Sequence, residues 1–469
     1  MPRARQYPAL PPRLVTPLIS HFDAGDPWLN ERLFYNETLA SFLRSQTLQK
    51  ALGRLPDGLS AEGIPDLRRA LDLAELARLF HLAGRSHHTL TQLIHNCAAA
   101  ESGKCELPDI FTGSEAFIPQ VEELFPGPPR TFLYICAMEG GLALDLRIIQ
   151  TLLRLGHKVI LTLKEAPVYY APTMWDVDRD PLLVDNLPES HIFKAPAASK
   201  NELLRRLREN RLLIISDGTG ERLNLYRTSV TFARAWKESD AVIARGRCNR
   251  DVLLGTSHLF TRDVFCFWED RGEVRMQLKP HAPGIRKFSE QALTAKARTI
   301  IKSMRASKDS GKALMFYSCI IGSIPGQTAT AIKVADTFVR SLRERLDQVF
   351  IINPAEYFEP GMDGDDLMFM WEQVQRSGLI NIWRFQSMED IEASFMGLKV
   401  PPVWSGKDAT FSTGCTKEMR IALDMQRSHP ELQIVGPGPE KFFRRGDYGV
   451  GKFFDATISN ANPTTSRSE

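Results

Sequence analysis

The sequence predicts an α/β protein with a helical N-terminal cap, a doubly wound and mostly parallel sheet, and a second C-terminal α/β domain. Three stretches carry that expectation. Residues 131–176 read as strand, helix and strand, the βαβ unit from which parallel sheets are built. Residues 212–244 resume the alternation, and residues 312–352 begin it again behind a charged connecting region.

Residues 1–20 are basic and Pro-rich but have no apolar h-region, so an extended arm is expected and not a secretory signal. Residues 21–130 form the cap, with Asp26-Pro27 read as an N-cap followed by proline at the first helical position. His87, His88 and His95 have no carboxylate or cysteine beside them at ligand spacing, so they read as helix-surface or core histidines. The main α/β domain spans 131–285. Phe132 to Cys136 is apolar and β-rich, as in a strand buried on both faces. After the Gly140-Gly141 turn, Leu142, Leu146, Ile149, Leu152 and Leu153 share one helical face. Gly156 stops that helix, and Val159 to Leu163 forms a second buried strand. Ligands of such sheets sit at the carboxyl ends of the strands, here the turns Ala137–Gly141 and Ala166–Thr173.

Further along, NELLRRLRENRL is an amphipathic basic helix with a solvated charged face. Leu212 to Ile215 reads as a strand, Asp217 to Gly220 as a turn, Thr228 to Trp236 as a helix and Ala241 to Ala244 as a strand. That last strand runs into Arg245-Gly246-Arg247-Cys248-Asn249. Basic and amide donors on a glycine turn suit a phosphate; an ordinary surface turn fits the same residues.

In order and content these pieces resemble the damage-control phosphatase family, which has the acidic-residue-methyltransferase-like metal-binding fold. The matching segments are Ala137-Met138-Glu139-Gly140-Gly141, Lys164 to Thr173, and Arg245 to Asp251, over roughly the first 285 residues. The resemblance implies a helical cap and a divalent cation, Mn or Mg, held by Asp and Asn of the first turn and Asp of the second. Such a cation orients a phosphoryl group and neutralises its developing charge, which calls for hard oxygen ligands. The three positions here are Ala137, Met138 and Ala171. Glu139, Asp176 and Asp178 are displaced candidates, Asp180 lies near them, and DGTGE at 217–221 is a metal turn only in a shifted register. The phosphate side that the resemblance implies is kept, with Arg245 in place of a lysine, Gly246, Asn249, and Asp251 in place of a glutamate, and Glu139 and Gly140 on the first turn are further ligand-binding candidates.

Residues 286–310 read as a connecting helix and 311–460 as the C-terminal domain. Its first strand leads into Gly322-Ser323-Ile324-Pro325-Gly326-Gln327-Thr328, where Gln327 and Thr328 stand at a helix N-terminus, either a capping turn or an anion site. Val349 to Ile352 and Asn381 to Phe385 are strands, and Asp363, Asp365 and Asp366 read as capping residues at a helix start. VWSGKDATFSTGCTKEM offers Lys407, Thr410, Ser412 and Thr413 for a phosphate or carboxylate, with Cys415 a candidate nucleophile. Lys441, Arg444, Arg445 and Lys452 are expected to close over an anion or fasten the C-terminus, and 461–469 to be a disordered tail.

Composition bounds the function. Hydrophobic residues at 43% and charged residues at 25% are globular averages, and a net charge of +3 is too mild to favour nucleic acid. Seven scattered cysteines, none in a CxxC pair, suit reduced thiols, and no apolar run reaches membrane-span length. The expectation is a cytoplasmic protein that binds a phosphorylated small molecule on a silent phosphatase fold. The alternative is an active phosphatase with relocated ligands, or a different enzyme activity around Lys407–Thr416.

Overall fold

The computed structural model describes residues 25–52, 65–102, 104, 106, 109–125, 127–185, 191–256, 260–283, 287–324, 327–359, 361–404 and 406–443. The expected arm and tail, Arg444, Arg445 and Lys452, and Pro325 and Gly326 of the Gly/Pro turn, lie outside the described residues. The chain divides into two compact units, Met1–Ala282 and Pro283–Glu469. Among the described residues no helix is long and apolar enough to cross a membrane.

The first unit begins with helices α1 (Leu29–Arg44), α2 (Gln46–Ala51), α3 (Pro65–Ala83), α4 (His87–Glu101) and α5 (Ile118–Leu124). Then β1 (Thr131–Ile135), α6 (Leu142–Arg154) and β2 (Lys158–Leu163) form the expected βαβ unit. They are followed by α7 (Pro181–Val184), β3 (Ile192–Phe193), α8 (Lys200–Glu209), β4 (Leu212–Ser216), α9 (Val230–Glu238), β5 (Ala241–Arg245) and α10 (Arg247–Leu253). A hairpin, β6 (Asp263–Asp270) and β7 (Glu273–Lys279), completes the seven-stranded sheet, in the order β3-β4-β2-β1-β5-β6-β7. Every pairing is parallel except β6 with β7. The charged connector expected from Met276 is therefore corrected: Met276 lies in β7 and pairs with Phe267.

Strand alternation supplies a two-faced core. Phe132, Tyr134 and Cys136 of β1 and its extension join Val159, Leu161, Ile243, Phe265 and Phe267 in one cluster with α1, α3 and α6, through Leu39, Leu76, Phe80 and Ile148. The cap helices and the sheet thus share a core. The alternate set, including Leu133, Ile135, Ile160, Val242 and Ala244, is buried on the other face, where α8 and α9 pack. Helices on both faces explain why these strands are apolar throughout and not alternating.

The second unit holds a four-stranded parallel sheet, β8 (Ala313–Ser318), β9 (Val349–Ile352), β10 (Ile382–Phe385) and β11 (Gln433–Val435), ordered β11-β10-β8-β9. Helices α11 (Glu290–Asp309), α13 (Gly364–Gln375) and α15 (Thr413–Ser428) pack in series, and α12 (Thr328–Arg343) packs with α14 (Met388–Leu398). Met315 and Tyr317 meet Phe338 and Val339 of α12, whereas Phe316 meets Trp371 of α13, so this sheet is also covered on both faces. Asp363 caps α13 by accepting from the N–H groups of Asp365 and Asp366, within a full capping box. The α/β reading holds for both units.

Candidate functional site

In the first unit the strand order reverses between β1 and β5: β2 and β4 lie on one side of β1, with β5 and β6 on the other. A crevice outside the carboxyl ends of such a pair is where an open α/β sheet receives a ligand. The turns there are residues 136–141 after β1 and 246–249 after β5, with residues 164–173 following β2 alongside.

Two glycines let these turns close on one another. Gly246 has φ +94°, and a Cβ there would lie 2.8 Å from Glu139 Oε2 and 2.8 Å from Ala137 Cβ. Gly140, at φ +78°, would put a Cβ 2.8 Å from the Tyr170 carbonyl oxygen. Asn249 staples the same turns, its Nδ2 donating to the carbonyls of Cys136 and Arg245 at 2.8 Å each.

The structure turns Arg245 inward. The residue is 2% exposed. Its Nε and Nη2 each donate to Asp145 at 2.7 Å, and further N–H groups reach the carbonyls of Gly140 and, at 3.4 Å, Ala83. Tyr134 adds its hydroxyl to Asp145 Oδ1 at 2.7 Å. Burial alone would lower the guanidinium's pKa, but the Asp145 carboxylate outweighs it and the pKa is raised. Arg245 thus ties β5 to the first turn of α6, and Asn249 is likewise a structural staple. Asp251 is exposed on α10, 3.1 Å from Arg250. The phosphate-side set expected from the sequence is not assembled around a ligand.

A divalent cation does not fit the residues present. Ala137, Met138 and Ala171 are 1%, 5% and 2% exposed, and Met138 and Ala171 form an apolar cluster with Val168, flanked by Tyr169 and Cys248. None offers an oxygen side chain to a hard cation. The displaced carboxylates are not brought together. Asp176 is buried, accepting from Arg32 Nη2 at 2.5 Å and from the Thr173 N–H at 2.7 Å. Asp178 is solvated, 3.6 Å from Lys194. Asp217 binds Lys164 at 2.6 Å, which removes the shifted-register turn as a metal site. Among the described residues no group of three or more His, Cys, Asp or Glu could hold a metal.

What remains in the crevice is Glu139, whose Oε2 is buried against Gly246 with no hydrogen-bond partner among the described residues. Beside it is His87, read from the sequence as a helix-surface or core histidine and half-buried here. Its ring lies between that of Tyr35, tilted with centroids 3.9 Å apart, and that of Tyr170, stacked at 5.1 Å, and its buried Nδ1 has no hydrogen-bond partner among the described residues. Burial lowers its pKa, countered in part by the neighbouring Glu139. Cys248 is half-buried, with its thiol pushed up by burial and then by the Glu139 charge. Pairing a helix in the cap with a turn 52 residues later left no local signal.

In the second unit the order reverses between β8 and β10. Here the two stretches singled out in the sequence do meet: Ser323 donates to Ser412 at 2.9 Å, and the Cys415 thiol donates to the Cys319 carbonyl at 3.4 Å. Their polar groups, however, serve local turns. Thr410 donates through N–H and hydroxyl to Asp408 Oδ1 at 3.0 and 2.6 Å, and Ser412 caps α15. Lys407 lies over the Phe411 ring at 5.0 Å and Thr413 is exposed. Gln327 stands at the N-cap of α12 without a side-chain capping bond, and Thr328 follows half-buried. Cys415, the candidate nucleophile, is buried, and burial followed by Glu418 pushes its thiol pKa well up, the opposite of what activates a thiol.

No family model matches the chain, and no curated protein matches it. Among solved structures, a DUF89 family protein from Pyrococcus horikoshii is similar at 17% identity, covering 54% of this chain and 72% of that chain, with a TM-score of 0.28. A likeness at that level fixes neither the family nor the activity.

Proposed function

We propose that the chain is a binding or regulatory protein whose first unit, of damage-control-phosphatase-like design, takes a phosphorylated small molecule in the β1/β5 crevice without metal or turnover. The observation that carries the reading is the apolar, buried trio Ala137, Met138 and Ala171 where hard oxygen ligands would be required. Within the crevice Glu139 Oε2 is poised to accept from a ligand hydroxyl, as on a sugar phosphate. Arg245 is committed to Asp145, so the ligand's anionic end is not held by that guanidinium.

The test is a panel of sugar phosphates and p-nitrophenyl phosphate, assayed for turnover with manganese or magnesium and after chelation, beside thermal-shift binding. The expected result is no turnover under any condition, with a chelator-insensitive shift by a sugar phosphate that Glu139→Ala removes. Metal-dependent turnover lost in Glu139→Ala would replace this reading with an active phosphatase. Neither turnover nor a shift would overturn both.

A further inference from the structure

Helix α6 has a second face that the sheet does not cover. Its deep side, Leu144, Ile148 and Leu152, is fully buried in the core. Around the helix, Ala143, Leu146, Gln150 and Leu153 follow one another at spacings of three and four residues and wall a cavity of about 740 Å³. Leu146 and Leu153 are only half-buried, so their remaining aliphatic surface borders this cavity. Leu43 of α1 and Leu212 of β4 complete its apolar lining. The volume lies within the range of small-molecule sites, roughly 300–1,000 Å³, and the lining is divided between aliphatic and polar side chains.

The polar groups are mostly of one sign. Arg44, Arg147 and Arg211 line the cavity against the single carboxylate of Glu209. Arg147 reaches Glu75 through Nη2, and Arg211 Nη2 serves the carbonyls of Leu153 and His157. Other atoms of the lining are buried without a hydrogen-bond partner among the described residues: Gln49 Oε1, Arg147 Nε and His191 Nδ1. Buried polar atoms are normally hydrogen-bonded, so three orphans among the lining residues leave unsatisfied polar groups within this wall.

We propose that this cavity is a binding site for an amphiphilic anion, an aliphatic chain lying along Leu43, Leu146 and Leu153 with a carboxylate or phosphate head at the arginines. The site is separate from the β1/β5 crevice and does not depend on the function proposed there. The cationic lining of Arg44, Arg147 and Arg211 supplies the charge that holds the head.

Isothermal titration of the full chain with n-octyl phosphate, octanoate and n-octanol, each below micelle formation, tests this. Both anions are expected to bind saturably at one site and octanol about 10-fold or more weaker, with Arg44→Glu weakening the anions by a similar factor. Leu146→Trp, which fills the cavity, abolishes binding. Gln150→Trp does the same from an exposed position on the same wall, should the first variant fail to fold. Glu139→Ala leaves the titration unchanged, separating this site from the crevice. Absence of saturable binding, equal affinity for octanol, or binding unaffected by both the charge reversal and the filling variants would overturn the proposal.

Discussion

Asp145 occupies the first turn of α6, where an acidic side chain is favoured by the helix dipole, yet it is wholly buried between Tyr134 and Arg245. A buried ion pair is costly to halve, because the partner left behind keeps its charge without water or counter-ion. Asp145→Ala is therefore expected to destabilise the chain by about 3–5 kcal/mol in urea denaturation, and Asp145→Leu combined with Arg245→Met to recover most of that loss. Equal destabilisation by the single and double variants would show that the pair is not coupled. The sequence displays Arg245 on a glycine turn at a strand end, which is the right type of residue in the right place for a phosphate. It does not display which carboxylate the guanidinium will face, because Asp145 stands 100 residues earlier. The empty coordination chemistry of Ala137, Met138 and Ala171 was legible, since it depends on residue type alone. The place of His87 beside Glu139 was not, since it depends on how the cap packs.

At the level of elements, the βαβ pattern announced itself through apolar runs of strand length alternating with an amphipathic helix, and β2, β4 and β5 followed within a residue or two, whereas the two-residue β3 was not read. The β6–β7 hairpin escaped because β7 is mixed and charged, like a connector. Its signal lay in the turn: Arg271 and Gly272 both have positive φ, at 53° and 85°, the geometry of a two-residue turn matched to strand twist. Helix α15 offers an element-scale test. It buries Glu418, which accepts from Gln375 Nε2 at 2.9 Å, and burial raises its carboxyl pKa from 4.5 to about 7. The folded chain keeps a proton there that the unfolded chain releases above about pH 4.5, so this group's contribution is most favourable below that pH. It declines as pH rises to about 7 and is constant beyond, by a total on the order of 3 kcal/mol. Glu418→Gln keeps the acceptor and removes the titration, so the variant should gain stability over the parent at pH 8 but not at pH 4. Parallel urea curves for the two chains at both pH values would refute it.

For the whole molecule, the division at Ala282 and Pro283 separates two sheets, each with helices on both faces and its own buried core. Residues 1–282 and 283–469, expressed separately, are each expected to unfold cooperatively with native-like circular dichroism. A molten profile from either half would show that its core needs the other. The sheets also share a way of ending. β3 and β11 are two and three residues long, and β9 has four, while β7 carries the exposed charges Glu273 and Arg275. Unpaired strand margins are templates on which other chains add, and brevity and charge are the two cheapest ways to blunt them. A protein rich in apolar parallel strands is thereby kept from zippering to its own copies when crowded, so the surface least involved in any ligand guards its solubility.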